Sequence, residues 1–234
     1  MQLPYFFLES SGRVDESISL AEETSKHIVS VLRMAKGDRL HLTDGKGHLI
    51  TAEIDSAHKK HCIVKVIEVS SVARHGSAVS IAISLLKNNS RFEWFLEKCT
   101  EIGVSTIRPL LCDRTERQHF RKDRMQGILV SAMLQSRQSW LPELLDPLKF
   151  DEYAVQEQDA LRFIAHCDDV MKSALTAQTR AGKMEIAIGP EGDFTADEIS
   201  IALAKGFIPV SLGENRLRSE TAGVVAATLL CIAR

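Results

Sequence analysis

Short apolar strands alternate with helical segments from residue 79 onward, and this alternation restricts the fold more than any other feature of the chain. Residues 79–86 form a continuous apolar run, as expected for a strand buried on both faces of a parallel sheet. Further strands are predicted over residues 106–112, 162–167, Met184–Ile188 and 207–212. Strands that alternate with helices in this way predict an α/β domain with a mainly parallel sheet.

The predicted helices of this part have recognisable ends. Ser90 with Glu93, and Thr195 with Glu198, each have the spacing of a capping box, so a helix is predicted after each. Gly103 marks the end of the first of these helices. Further helices are predicted over residues 121–138, over a segment that ends at residue 180, and over residues 221–233.

The first 72 residues have a different pattern, in which strands alternate polar and apolar side chains and tight turns separate them. Strands are predicted over Arg39–Thr43, 48–54 and 62–69, and a helix over 22–31. Asp44-Gly45 matches a type I′ hairpin turn, which requires a positive φ at both residues. Several short strands of this kind favour a small barrel. We therefore predict two domains, residues 1–72 and residues 73–234.

The composition argues against several classes of protein. No apolar run approaches the roughly 20 residues of a membrane helix, and the first residues lack the pattern of a secretory signal. The five cysteines are scattered and form no C-x-x-C pair, so we expect a cytoplasmic protein with free thiols and no metal site. Because the net charge is −2, any contact with nucleic acid must come from local basic patches.

Two loops follow predicted strands at their carboxyl ends, where open α/β sheets bind their ligands. The first runs from Gly189 to Asp193, and its two glycines and one proline let the backbone turn sharply and approach a ligand closely. The second, residues 211–222, carries two arginines and two glutamates. Each loop alone is compatible with a simple turn or a solvated loop, but together we expect them to form one cleft.

These two loops resemble the SPOUT methyltransferases through Gly-Pro-Glu-Gly-Asp-Phe-Thr, starting at Gly189, and Leu-Arg-x-Glu-Thr-Ala, starting at Leu217. More narrowly, the chain resembles the bacterial family that methylates N3 of one uridine in 16S ribosomal RNA of the small subunit. The segment from His27 to Asp38 is similar to the PUA-like barrel of that family. The resemblance implies an α/β trefoil-knot (SPOUT) domain after a smaller, RNA-binding PUA-like β-barrel, and it implies a homodimer.

The resemblance also implies S-adenosylmethionine as the cofactor. Because uracil N3 carries a weakly acidic proton, an arginine is needed to stabilise the base anion and a carboxylate to accept the proton. We assign these roles to Arg218 and Glu220, with Arg216 and Glu191 as the next candidates. The residues assigned to the cofactor are His166, Gly189, Pro190, Glu191, Gly192, Ser211, Leu212, Gly213, Arg216, Leu217, Thr221 and Ala222.

Residues 114–124 are the densest basic stretch of the chain. A solvated helix face is the ordinary interpretation of such a stretch, but beside an RNA-modifying site it favours contact with phosphates. The predicted RNA contacts are Arg33, Arg114, Arg117, Arg121 and Arg124.

The chain departs from the family pattern at three places. Asp193 stands where the family usually has a second glycine, and we expect the turn to survive because aspartate tolerates a positive φ. Residues 134–138 lack the glutamate and the arginine of a common family motif, and Tyr5 replaces an arginine. Two other functions stay open, namely a ribose 2′-O-methyltransferase of the SPOUT type and a non-catalytic RNA-binding assembly factor of the ribosome.

Overall fold

The structure is a computed structural model, and it describes residues 3–10, 12–74, 78–116, 118–157, 159–168, 171–178 and 182–232. The chain divides into two compact units. The first comprises Met1–Arg74 and Met133–Leu141, and the second comprises His75–Ala132 and Pro142–Arg234. Residues 133–141, which the sequence analysis assigned to the second domain, are thus grouped with the first unit.

The first unit contains a five-stranded, barrel-like sheet in the order β1-β3-β4-β5-β2. Neighbouring strands pair in an antiparallel manner except β1 and β3, which are parallel. Leu40, Leu42, Ile50 and Ile54 are fully or almost fully buried between the strands, as the predicted alternation requires. The strands are β1 (Tyr5–Phe7), β2 (Ser17–Ser19), β3 (Arg39–Thr43), β4 (His48–Ser56) and β5 (Ile63–Ser71).

A short helix interrupts this sheet between β2 and β3. Helix α1 spans Glu22–Lys26 and continues directly as a π-helix over His27–Val31, so the predicted helical segment is confirmed. The π-helix ends at Leu32, and Arg33 then adopts a φ of 57°. This left-handed residue turns the chain out of the helix towards β3.

The connection between β3 and β4 differs from the predicted type I′ turn. Gly45 has a φ of 70°, but Asp44 keeps a negative φ. The Asp44 carboxylate instead accepts hydrogen bonds from the backbone N–H of Lys46 at 2.8 Å and of His48 at 3.3 Å, and it lies 2.7 Å from the His48 ring. The predicted turn type is therefore wrong, because the hydrogen bonds that the Asp44 carboxylate accepts stabilise a longer loop.

Residues 133–141 join the first unit through backbone hydrogen bonds to the β3–β4 loop. Gly47 N–H donates to the Ser139 carbonyl at 2.7 Å, and Leu141 N–H donates to the Gly45 carbonyl at 2.8 Å. The Trp140 indole N–H donates to the Val72 carbonyl at 2.9 Å. These contacts, all distant in sequence, fix the chain just after the predicted helix over residues 121–138, which ends at Gln135 in the structure.

The second unit is built on an eight-stranded, entirely parallel sheet in the order β11-β13-β10-β12-β6-β7-β8, with β9 also paired to β7. This architecture confirms the predicted α/β class. The strands are β6 (Val79–Ser84), β7 (Thr106–Leu111), β8 (Glu143–Leu144), β9 (Leu148–Lys149), β10 (Leu161–Ala165), β11 (Ser173–Ala174), β12 (Met184–Ile188) and β13 (Ile208–Ser211).

The helices that accompany this sheet are α2 (Asn89–Ile102), α3 (Lys122–Gln135), α4 (Phe150–Ala154), α5 (Ala196–Ala204) and α6 (Ser219–Cys231). Helix α6 packs against α2, β6 and β12. None of the helices in the described part of the chain is both long and apolar enough to cross a membrane.

The helix ends confirm one predicted capping box and correct the other. The Thr195 hydroxyl and the Glu198 carboxylate cap α5 reciprocally, as predicted. Helix α2, however, is capped by Asn88, whose side chain accepts from Ser90 N–H at 2.9 Å, so the box at Ser90 and Glu93 is wrong. Glu93 instead binds Arg124, and a contact between two helices cannot be read from sequence spacing.

The helix predicted to end at residue 180 is also wrong. In its place the described residues contain β11 and a single 3-10 turn over Leu175–Ala177, while residues 169–170 and 179–181 lie outside the described residues. Leu175 is fully buried. Pairing of β11 with the edge of β13 competes successfully with the local helical preference.

Candidate active site

Three parallel strands end side by side and position the loops of the candidate site. Ala165 at the end of β10 is in register with Ile188 of β12 and with Val210 of β13. The residues after these strands therefore meet at one edge of the sheet, where they surround a cavity of about 680 Å³. The convergence expected from the sequence is present in the structure.

Most of the residues assigned to the cofactor or to catalysis line this cavity. They are His166, Gly189, Pro190, Glu191, Ser211, Leu212, Gly213, Arg216, Leu217, Arg218 and Ala222. Gly192, Glu220 and Thr221 do not line it. The Gly192 carbonyl accepts a hydrogen bond from the Arg114 guanidinium at 2.7 Å, so Gly192 faces this arginine.

The loop after β12 needs glycine at its first position. A Cβ atom on Gly189 would lie 3.1 Å from the backbone nitrogen of Phe194, which is tighter than an ordinary contact. Phe194 is buried and packs against Phe150 with a ring separation of 4.9 Å, so it cannot easily move away. The loop is thus folded back on an aromatic anchor and presents its backbone to the cavity.

Asp193 ends this loop in the left-handed conformation, with a φ of 64°. The expectation that the turn tolerates aspartate is confirmed. Its carboxylate accepts two backbone hydrogen bonds, from Phe194 N–H at 2.8 Å and from Cys167 N–H at 2.7 Å. The second bond reaches the loop after β10, and no sequence pattern had pointed to it.

The charged loop presents two guanidinium groups to the cavity. Arg216 and Arg218 are both exposed, and among the described residues neither forms an ion pair. Arg218 is the residue that precedes α6, which begins at Ser219, two residues before the predicted start. Within the part of the chain that the structure describes, Arg218 forms no ion pair with Glu214 or Glu220, the two glutamates of its loop, so its charge is available for a ligand.

Glu220 is buried in the first turn of α6. Only 6% of its surface is exposed, and one carboxylate oxygen lies 3.6 Å from the Arg91 guanidinium. The other oxygen has no hydrogen-bond partner among the described residues. Sequence analysis gave Arg91 no role, because the packing of α2 against α6 that brings it to Glu220 leaves no local pattern in the sequence.

Glu191 lines the cavity, as do the carboxylates Asp193 and Glu214. Glu191 is exposed, and one of its oxygens accepts a hydrogen bond from Lys87 N–H at 3.1 Å. This bond connects the loop after β12 to the segment that follows β6, the adjacent strand. The site therefore combines carboxylates at the cavity wall with Glu220, which is buried and does not line the cavity.

His166 is buried in the wall of the cavity with its hydrogen-bonding capacity unused. It is 8% exposed, and within the described residues neither ring nitrogen has a partner. Burial lowers the pKa of His166, and the nearby Lys172 cation lowers it further, so the neutral ring is favoured. A neutral imidazole offers one donor and one acceptor, and both lack a protein partner here.

The arginines predicted to contact RNA differ in whether their side chains already bind other groups of the protein. Arg121 is exposed, and its side chain has no ion pair among the described residues. Arg124 donates two hydrogen bonds to Glu93 at 2.6 and 2.9 Å, and Arg114 donates to the Gly192 and Phe194 carbonyls. Arg33 is exposed in the first unit, and Arg117 lies outside the described residues.

Both parts of the chain match domains of known proteins. Residues 74–231 match the model of the RNA methyltransferase domain, and residues 20–67 match the model of the RNA methyltransferase PUA domain. The chain is 35% identical over 91% of its length to the ribosomal RNA small subunit methyltransferase E of Synechocystis, of which the match covers 72%.

Solved structures show the same fold over nearly the whole chain. A "probable rRNA-methyltransferase" of Porphyromonas gingivalis superimposes with a TM-score of 0.91 and 36% identity, covering 99% of this chain and 100% of the other. A Legionella pneumophila methyltransferase solved with bound SAM has a TM-score of 0.88 and 27% identity, with coverage of 98% and 97%. The predicted fold class, a SPOUT-type domain after a smaller PUA-like barrel, is confirmed.

Proposed function

The chain belongs to the RNA methyltransferase family, and from this premise we propose that it transfers a methyl group from S-adenosylmethionine to N3 of one uridine in 16S ribosomal RNA of the small subunit. The observation that carries the proposal is the cavity at the three strand ends, with the unpaired charge of Arg218 at its wall. The name of the Synechocystis relative supports the ribosomal substrate, and the bound SAM of the Legionella relative supports the cofactor.

The residues of the cavity fit S-adenosylmethionine. Ile188, Val210 and Leu217 supply apolar surface for an adenine ring, and the loops after β12 and β13 supply backbone groups beside it. His166 also lines the cavity, and its buried ring nitrogens have no partner among the described residues, which is a feature often found at binding sites. A volume of about 680 Å³ is within the usual range of a cofactor site.

Methyl transfer requires that the base loses its N3 proton. When bound, S-adenosylmethionine supplies an electrophilic methyl group on a sulfonium sulfur. We assign to Arg218 the stabilisation of the negative charge that develops on the uracil oxygens, because its guanidinium lines the cavity and has no ion pair among the residues described. The N3 proton would pass to a carboxylate, and the N3 lone pair would form the new bond to carbon as the carbon–sulfur bond breaks and its electron pair leaves with the sulfur as a neutral thioether.

Two carboxylates compete for the role of proton acceptor. Glu220 has a buried oxygen without a partner but does not line the cavity, whereas Glu191 lines it. Single-turnover methylation by Glu220→Gln and Glu191→Gln separates them. The acceptor is the residue whose glutamine variant loses rate while it keeps its affinity for the cofactor, because an amide cannot accept the proton.

The cofactor site is tested by calorimetric titration of S-adenosylmethionine. Ala222→Phe places a large ring in the cavity, and we expect it to lower the affinity at least about tenfold. Gly192→Val is the matched control, because its side chain would meet Arg114 at 3.3 Å outside the cavity. Equal affinities of Ala222→Phe and wild type would exclude this cavity as the cofactor site.

We further propose that the protein acts as a homodimer in the cytoplasm. The support for a dimer is the apolar helix α6, on which Val224, Val225 and Leu229 remain half-exposed, since a contiguous apolar surface favours a partner. Free cysteines support the location. Light scattering at micromolar concentration tests the dimer, and a monomeric mass with full activity would exclude a site that needs both subunits.

A further inference from the structure

We infer that Asp193 is a positioning residue that ties the loop after β10 to the loop after β12 and so holds His166 in the wall of the cofactor cavity. The inference rests on the proposed function for the identity of the ligand. It concerns a side chain to which the sequence analysis gave no role beyond tolerating a turn.

The tether consists of one short hydrogen bond between loops that are distant in sequence. The Asp193 carboxylate accepts from Cys167 N–H at 2.7 Å, and its other oxygen accepts from Phe194 N–H at 2.8 Å. Bonds from backbone N–H to a carboxylate are charge-assisted and stronger than neutral ones. Phe194 is itself buried, so the carboxylate is anchored on the rigid side of the site.

A second contact holds the same loop from the opposite direction. The Lys172 ammonium donates to the His166 carbonyl at 2.7 Å. The carbonyl of His166 and the N–H of Cys167 belong to the same peptide unit, so this peptide is fixed at both its oxygen and its nitrogen. Asp193, Lys172, Cys167 and His166 all line the cavity.

The fixed peptide determines where the His166 ring lies. The ring is buried beside the cavity, with both nitrogens unpartnered among the described residues. No side-chain hydrogen bond therefore orients it, and its position depends on the backbone that carries it. We conclude that the tether fixes the backbone that carries His166 and so sets where this residue lies in the cavity wall.

The backbone of Asp193 provides a way to separate this role from ordinary stabilisation. Its φ of 64° is a conformation that glycine adopts without steric cost and aspartate does not. Asp193→Gly therefore removes the tether and relieves the backbone at the same time. A residue that matters only for stability would give a variant whose thermal stability and cofactor affinity fall together.

The experiment compares wild type, Asp193→Gly and Asp193→Asn. In the absence of cofactor, hydrogen exchange at the Cys167 amide is expected to accelerate in the glycine variant, while the thermal unfolding temperature stays equal or rises. The affinity for S-adenosylmethionine is expected to fall about tenfold, the usual effect of one lost hydrogen bond. Asp193→Asn keeps an oxygen acceptor and should recover part of the affinity.

Asp168→Asn is the matched control, because it removes a negative charge near His166 without touching the tether. Unchanged Cys167 exchange in Asp193→Gly, or an affinity equal to that of wild type, would overturn the inference. A wild-type protein that fails to bind S-adenosylmethionine would instead overturn the proposed function, and the exchange measurement would still test the tether.

Discussion

The two ends of strand β10 carry equally buried side chains that differ in their hydrogen bonding. Arg162, near its start, and His166, just after its end, are 7% and 8% exposed. Arg162 donates to the carbonyls of Tyr153, Ala154 and Gln156 and lies 3.2 Å from Glu185. His166 has no side-chain partner among the described residues. The same strand therefore carries a satisfied charge at one end and an unsatisfied ring at the other.

The two ends of β10 cannot be distinguished by the size of the cavities beside them. A second cavity of about 650 Å³ lies at the start of β10, almost as large as that of the candidate site. Arg162 lines it, but its side chain already donates four hydrogen bonds, and its guanidinium stacks 3.9 Å from the centre of the Phe207 ring. Hydrogen-bond status thus distinguishes the two β10 side chains themselves, although the Tyr153 hydroxyl near Arg162 also lacks a partner among the described residues.

The largest effect is expected at the satisfied end. Arg162→Met would leave the Glu185 carboxylate buried without its cation, although burial already raises the pKa of Glu185 against the influence of Arg162. We expect the free energy of unfolding to fall by about 3–5 kcal/mol, as for other broken buried pairs. Urea unfolding measures the loss.

Lys183→Met is the control for this change. It breaks an ion pair with Asp159 whose side chains are 63% and 98% exposed, and a pair of that kind contributes at most about 1 kcal/mol. Equal losses in the two variants would mean that the Arg162 cluster is no more important to the fold than a surface pair.

At the cavity beside the His166 end of β10, the expected effect is on the rate of methylation. Arg218→Ala should lower single-turnover methylation by about 10²–10³-fold while stability and cofactor affinity stay close to wild type. Arg218→Lys should recover little, because an ammonium does not reproduce the planar fork of a guanidinium. Near-wild-type turnover of the alanine variant would remove Arg218 from the mechanism.

His166→Phe sharpens the comparison by removing only the unpaired nitrogens. We expect about a tenfold lower affinity for S-adenosylmethionine at pH 7.5, with no loss of stability, because no protein hydrogen bond is broken. A clear loss of stability with unchanged affinity would assign His166 to the fold and place it beside Arg162.

The pH dependence gives the same variant a second readout. Because burial lowers the pKa of His166, the unfolded chain binds the proton more readily than the folded one. Wild-type stability should therefore decline as the pH falls below about 6.5, the usual pKa of histidine, and this part of the decline should be missing in His166→Phe. Parallel stability curves from pH 7.5 to 5 would contradict the assigned environment.

The smallest effect is expected for RNA contacts. Arg121→Ala should lower the slope of log affinity against log salt by about 1 and weaken RNA binding at all sequences alike. Arg124→Ala should change the slope less, because two hydrogen bonds to Glu93 already neutralise its charge. An equal or larger change for Arg124 would show that RNA displaces Glu93.

The sequence predicted those features that depend on local pattern. Strands Arg39–Thr43 and Met184–Ile188 have the predicted bounds, because alternation and an unbroken apolar run are read directly from neighbouring residues. The capping box of α5 is equally local. The edge of the sheet that carries the site followed from the rule that parallel strands bind ligands at their carboxyl ends.

Features that depend on distant contacts were missed. Asn88 caps α2 while Glu93 is taken by Arg124, and strand pairing replaces a helix at β11. The bond from Asp193 to Cys167 joins residues 26 positions apart, and only the folded chain brings them together. The proximity of Arg91 to Glu220 depends likewise on the packing of α2 against α6.

The most direct test of the account is single-turnover methylation of small ribosomal subunits with S-adenosylmethionine, followed by mass mapping of the modified nucleosides. The subunits are taken from cells that lack this protein, so that the target is unmodified. We predict one new methyl group, on N3 of a single uridine of 16S ribosomal RNA, which Arg218→Ala forms at least about 10²-fold more slowly. A ribose 2′-O-methyl product, or RNA binding without any methylation, would contradict the account.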